Sequence, residues 1–166
     1  MRADVAILGI VRIVTSFAAF LVLPALLLAQ NGPAPKSDAI VKVAAKLSPE
    51  APGAEGKQVL TLNLEIEDGW HIYANPPGNE DFVSVQTTVD LSSTKPLQAV
   101  KVQYPKGKLI NDSVVGKYMV YEGKQAIKAT VTRAPGDSGP LELTLKFQPC
   151  NEKQCLLPAT KKLTVP

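Results

Sequence analysis

Two cysteines, Cys150 and Cys155, are the only ones in the chain and lie five positions apart near its C-terminal end. Such a pair can form a disulfide, bind a soft metal ion or exchange electrons with other thiols. The Cα atoms of a disulfide usually lie roughly 4.4–6.8 Å apart, whereas five extended steps span about 16 Å. The residues between the cysteines must therefore turn back. A loop this short stabilises a fold by only about 2 kcal/mol, so a structural and a redox-active disulfide both remain open.

Most of the sequence between residues 41 and 165 alternates between apolar and polar residues with period two, which is typical of strands with one buried face. These strands must position the cysteine pair. Turn-forming residues such as Asp68-Gly69 and the segment 135–140 separate the alternating runs. Seven to nine short antiparallel strands predict an all-β fold, an immunoglobulin-like β-sandwich. The predicted strands are Val41–Leu47, Leu60–Ile66, Val83–Val89, Val100–Tyr104, Ile127–Val131, Leu141–Phe147 and Leu163–Val165.

The alternation also makes a prediction about Cys150. Leu141 and Phe147 face inward, so the even positions of this strand face outward. If the alternation continues past Pro149, Cys150 lies on the outer face with Lys146. We therefore expect an accessible Cys150 sulfur, as thiol exchange requires.

Residues 1–29 are predicted to be a signal peptide. Arg2 and Arg12 precede an almost wholly apolar run that ends in Ala29. An uncleaved membrane anchor is the alternative, because the run is nearly long enough to span a bilayer. Residues 30–37 are predicted to be a linker and 38–166 one domain, periplasmic or otherwise exported, with no membrane span once the signal is cleaved.

Composition and motifs exclude several classes of function. The formal charge is +3, with 18 basic and 15 acidic residues interspersed along the chain, so we expect no nucleic-acid partner. A serine nucleophile elbow and paired metal-binding histidines are absent from the sequence, which argues against a hydrolase. We expect a monomer with neither a cofactor nor a resident metal.

Three segments together resemble the N-terminal periplasmic domain of the thiol:disulfide interchange protein DsbD. They are 68–73 (DGWHIY), 111–121 (NDSVVGKYMVY), and the cysteine segment running from Phe147 to Lys161 with its trailing Pro-x-Thr-Lys. Order and spacing agree over residues 38–166. The resemblance implies an immunoglobulin-like domain that relays electrons between a thioredoxin-like donor and periplasmic thioredoxin-fold clients, including those of cytochrome c maturation.

The resemblance also implies roles for individual residues. It makes Cys150 the nucleophilic cysteine and Cys155 its partner. The residues matching the shielding cap loop are Asp112, Val114 and Val115, and those matching the aromatic neighbours of the sulfurs are His71 and Tyr73. An Asp112 carboxylate beside Cys150 would disfavour the thiolate.

This chain departs from the family pattern in three ways. It has one residue fewer between its cysteines than the family member compared most directly, and its cap tip is aliphatic. It also contains no segment resembling a membrane electron-transfer domain or a thioredoxin-like domain. Either the other domains lie on a separate polypeptide, so that this chain is one component of an oxidoreductase pathway, or this domain has acquired another role.

Two other functions stay open at this point. One is an exported immunoglobulin-like interaction module with a purely structural disulfide, which a reduction potential below about −300 mV would favour. The other is copper handling through the two cysteines, His71 and Met119, since thiolates suit Cu(I). The absence of a methionine-rich or second histidine motif weighs against copper.

Overall fold

The computed structural model describes residues 36–48 and 57–166. The predicted signal peptide and most of the predicted linker lie outside them. No helix in these two ranges is long and apolar enough to cross a membrane. Apart from a helical turn, α1 (Ser37–Ile40), and a 3₁₀ segment, Glu80–Val85, the regular structure is β. The strands are β1 (Val41–Leu47), β2 (Lys57–Ile66), β3 (His71–Tyr73), β4 (Thr88–Ser92), β5 (Ala99–Gln103), β6 (Lys108–Asp112), β7 (Gly116–Tyr121), β8 (Lys124–Thr132), β9 (Leu141–Phe147), β10 (Pro149–Cys150) and β11 (Ala159–Val165).

The strands form three antiparallel sheets. The first has the order β1-β2-β8-β5, the second β10-β3-β7-β6 and the third β11-β9-β4. The long pairings join strands whose alternation is clearest, such as β2 with β8 and β9 with β11. Each of these strands turns one side to the interior and the other to water, as period-two patterning requires.

A continuous apolar core holds the sandwich together. Leu62 of β2, Ile127 of β8 and Leu143 of β9 are fully buried in it, as are their inward-facing neighbours. Trp70 is partly buried against the same core. The prediction of an all-β, immunoglobulin-like sandwich is confirmed.

Most predicted strands are present, but the one placed over Val83–Val89 is wrong in its first half. Residues Glu80–Val85 form a 3₁₀ segment, and β4 begins only at Thr88. The Asn79 side chain accepts a hydrogen bond from the Asp81 N–H at 3.0 Å, which caps the start of this segment. Val83 is half exposed there, so its spacing from Val85 does not reflect a buried strand face.

Candidate functional site

Cys150 and Cys155 form a disulfide with an S–S distance of 2.02 Å and Cα atoms 4.0 Å apart. The two residues face each other as an antiparallel bridge. Close Cα approach is typical of directly opposed residues that do not hydrogen-bond to each other. The prediction that the intervening segment turns back is therefore confirmed.

Hydrogen bonds within the loop build the turn between the cysteines. The Asn151 N–H donates to the Gln154 carbonyl, and the Asn151 side-chain oxygen accepts the N–H groups of Lys153 and Gln154, each at 2.9 Å. Asparagine favours such turns because its short side chain can bond to the backbone two and three residues ahead. The pair is thus held close by local structure as well as by its covalent bond.

The two sulfur-bearing residues differ in exposure. Cys150 is only 2% exposed, whereas Cys155 is an exposed residue. The predicted accessibility of Cys150 is therefore wrong. The alternation of β9 stops at Phe147, and Pro149–Cys150 forms a new short strand in a different sheet, beside β3. The parity of β9 therefore does not extend to Cys150.

Tyr73 brings its hydroxyl to both sulfurs. The oxygen lies 3.7 Å from Cys150 Sγ and 4.0 Å from Cys155 Sγ. Since disulfide sulfurs carry no proton, the hydroxyl is the donor in these weak contacts. Burial raises the pKa of Tyr73, with a smaller contribution from Tyr118, so the phenol keeps its proton at neutral pH.

His71 lies directly opposite Cys150 in the β3–β10 pairing. Its ring meets that of Tyr73 edge-on, with centroids 6.1 Å apart. Burial lowers the pKa of His71, an effect that nearby Glu122 opposes and Lys108 reinforces. The imidazole beside the disulfide is therefore neutral at pH 7.

An aromatic layer covers Tyr73 and was not predicted from the sequence. Phe82 stacks on Tyr73 with centroids 4.6 Å apart, and Tyr118 packs against both rings. Tyr73, Val120 and Cys150 form one buried cluster, and the rings of Phe82 and Tyr118 pack against it. Tyr118 belongs to the segment that matches the cap loop, whereas Phe82 immediately precedes the strand predicted over Val83–Val89 and was given no role. The sequence signal that could have predicted this helical segment is Asn79, a residue type that often caps a helix start, three positions before Phe82.

The predicted cap residues form the turn between β6 and β7. The Asp112 carboxylate accepts the N–H groups of Val114 and Val115 at 2.7 and 3.0 Å, and these bonds lower its pKa. Asn79 donates to the Val115 carbonyl at 3.0 Å and ties this turn to the 3₁₀ segment. Val114 is 89% and Val115 44% exposed. Asp112 thus shapes the turn, and shielding by the two valines stays a prediction.

Within residues 36–48 and 57–166, no three histidine, cysteine, aspartate or glutamate side chains are arranged to hold a metal ion. The chemistry that the described groups support is centred on sulfur. A disulfide with one exposed and one buried half, under a protonated phenol and a neutral imidazole, has the parts required for thiol–disulfide exchange.

Comparison with known proteins agrees with this chemistry. Residues 37–166 match the family model described as "Thiol:disulfide interchange protein DsbD, N-terminal". The chain belongs to this family. The family identified by resemblance is therefore confirmed. No curated protein sequence matches the chain.

Two solved structures share the fold. The N-terminal periplasmic domain of ScsB from Proteus mirabilis aligns with a TM-score of 0.57 and 16% identity, covering 75% of this chain and 45% of that one. The N-terminal domain of Neisseria meningitidis DsbD in its reduced form aligns with a TM-score of 0.51 and 19% identity, covering 80% and 89%. This chain thus spans less than half of the ScsB domain and most of the DsbD domain.

Proposed function

We propose that this domain passes electrons between thioredoxin-fold proteins in the periplasm through the Cys150–Cys155 pair, with Cys155 as the point of contact. Family membership supports the chemistry, and the periplasmic location described for the ScsB domain supports the compartment. The observation that carries the choice of sulfur is the exposure of Cys155 beside a Cys150 that is 2% exposed. This assignment reverses the roles that the resemblance implied for the two cysteines.

Reduction of the domain would proceed in two exchanges. A thiolate of the reduced donor attacks Cys155 Sγ in line with the disulfide, forming a mixed disulfide and releasing Cys150 as a thiolate. Tyr73 donates its hydrogen bond to the departing sulfur, 3.7 Å away, and Cys150 takes up a proton. The donor's second thiolate then attacks the donor sulfur of the mixed disulfide. Cys155 leaves reduced, and the donor becomes the disulfide.

Delivery to a client reverses these steps. The Cys155 thiolate attacks the client disulfide, and one client sulfur leaves as a thiolate. Cys150 then loses its proton and attacks Cys155, which reforms the disulfide and releases the client with two electrons and two protons gained. Cys150 can remain buried throughout because it reacts only with its neighbour.

Single-cysteine variants test the choice of sulfur. Each is mixed with a single-cysteine thioredoxin whose thiol carries a thionitrobenzoate leaving group, and release of the coloured thiolate is followed. Cys150→Ser keeps the exposed thiol and should form the mixed disulfide at least roughly tenfold faster than Cys155→Ser. Circular dichroism of both variants verifies the fold.

Two results would contradict the proposal. Faster reaction of Cys155→Ser would make Cys150 the point of contact. Failure of both folded variants to react, with a wild-type reduction potential below about −300 mV, would indicate a structural disulfide instead.

A further inference from the structure

The outer side of the β1-β2-β8-β5 sheet gathers lysines that are scattered in the sequence. We call it the lysine face and define it by six exposed residues. Their side chains share one side of the sheet because strand residues alternate between its two faces, and the pairing of Lys101 with Thr130 places β5 in the same register. The six residues are Lys42, Lys46, Lys57, Lys101, Lys124 and Lys128.

Strand register confirms this grouping. Lys42 and Lys124 flank Glu65 across adjacent strands, while Lys46 and Lys128 flank Thr61. Two strand spacings separate the members of each row by about 10 Å, and four residues along β1 separate the rows by about 13 Å. The lysine face is therefore a broad array of charges rather than a single binding point.

The array has little compensating charge among the described residues. Glu65 is the only acidic residue on this side of the four strands. The ion pairs of the described part of the chain involve Lys108, Arg133 and Lys146, all outside the lysine face. The six ammonium groups thus remain available to an anionic partner.

The residues between the lysines are short. Ala44, Asn63 and Ala126 lie in one row across three strands and form the floor of a shallow trough of about 470 Å³. Lys42 and Lys124, with Glu65 between them, border this trough. Long ammonium side chains on either side of a low floor can reach a flat surface without obstruction.

The chemistry of the face favours a membrane over a macromolecule. Protein interfaces concentrate tyrosine, tryptophan and arginine and are depleted in lysine. Single-stranded nucleic acid requires aromatic stacking platforms. The outer side of these four strands carries no aromatic residue and no arginine. Lysines acting as separate, hydrated point charges suit an anionic lipid surface, where each contributes about 1 kcal/mol.

We propose that the lysine face docks this domain on an anionic membrane surface through phospholipid headgroups. The exported location belongs to the proposed function, but the docking itself requires neither cysteine. Binding should weaken as salt rises, because the Debye length falls to about 8 Å at physiological ionic strength.

The test compares binding of the full chain, as isolated, to phosphatidylglycerol–phosphatidylcholine vesicles and to pure phosphatidylcholine vesicles. Because every variant keeps the same N-terminal segment, comparing their ratios with that of the wild type accounts for the contribution of this segment. The test variant carries Lys42→Gln, Lys46→Gln, Lys124→Gln and Lys128→Gln. The matched control changes four exposed lysines elsewhere, Lys36, Lys106, Lys117 and Lys162, to glutamine, with the same loss of charge.

We expect the ratio to fall at least tenfold in the test variant and less than threefold in the control. An equal fall of the affinity ratio in both variants would mean that binding depends only on net charge, and this would overturn the proposal. An unchanged ratio in the test variant would also overturn it. The proposal would also be overturned if the test variant lost binding to soluble polyglutamate but kept its binding to vesicles. The lysine face would then recognise acidic proteins. After their Cys150–Cys155 disulfide has been reduced, the same variants are mixed with the thionitrobenzoate-labelled thioredoxin, and release of the coloured thiolate reports separately on the exchange function.

Discussion

Two regions of the same antiparallel fold differ in how their residues are arranged. One is the disulfide end, which we define as Cys150, Cys155 and the rings of His71, Tyr73, Phe82 and Tyr118, and the other is the lysine face. At the disulfide, the short strands β3, β7 and β10 and the 3₁₀ segment Glu80–Val85 bring together a buried sulfur, stacked rings and a half-buried imidazole. On the lysine face, the longer strands β2 and β8 carry exposed ammonium groups over short side chains. The reactivity of the disulfide depends on side-chain contacts, whereas the proposed membrane binding of the lysine face depends on electrostatic attraction over longer distances. Substitutions should therefore have large local effects at one and small, salt-dependent effects at the other.

The largest effect should follow from Phe82→Ala. Losing the ring that stacks on Tyr73 opens the layer around Cys150. In the reduced protein we expect alkylation of Cys150, measured by mass spectrometry, to become roughly tenfold faster. Urea unfolding should show a loss of about 1–3 kcal/mol, because Phe82 is only partly buried.

Val83→Ala is the control for this prediction. Val83 lies in the same 3₁₀ segment but is half exposed, so its truncation should leave the alkylation rate unchanged. Equal acceleration in both variants would mean that the 3₁₀ segment as a whole, rather than the Phe82 ring, protects the sulfur.

The two regions also differ in how much of them the sequence could predict. Period-two alternation located β1, β2, β8 and β9, because each has one buried face. It could not locate β10, which is two residues long and owes its existence to pairing with β3. The burial of Cys150 is a tertiary effect, and the strand parity of β9 gave the opposite answer.

The lysine face was not predicted from the sequence, because its residues are far apart along the chain. Its lysines are spread from Lys42 to Lys128 with acidic residues between them in sequence, which led to the interpretation of mixed charge. Only the strand order β1-β2-β8-β5 brings them to one side. Charge clustering of this kind depends on topology, which composition does not encode.

A smaller effect is expected from His71→Gln, which removes the only histidine. The folded state holds the pKa of His71 below its ordinary value of 6.5. Between that lowered pKa and 6.5 the unfolded chain binds more protons, so stability falls as pH drops through this window. Urea unfolding at pH 7 and pH 5 should show this loss in wild type and little of it in the variant.

The carboxylates with lowered pKa, Asp112 and Asp137, cannot account for that loss, because their ordinary value is 3.8. Their protonation in the unfolded chain begins at lower pH than the histidine window. An equal loss in wild type and His71→Gln would mean that another group titrates in this range and that the pKa of His71 is not lowered in the folded protein.

The smallest effect should come from the four-lysine variant of the lysine face in the absence of membranes. Exposed substitutions without specific contacts each change stability by about 0.5 kcal/mol or less. Neutralising Lys46 and Lys128 relieves repulsion, while neutralising Lys42 and Lys124 removes their attraction to Glu65, so the terms oppose each other. We expect a net change below about 1 kcal/mol in urea unfolding at low salt, shrinking further at high salt. A larger loss of unfolding free energy that does not depend on salt would mean that these lysines stabilise the fold through specific contacts. The lysine face would then resemble the surroundings of the disulfide, and the contrast between the two regions would be wrong.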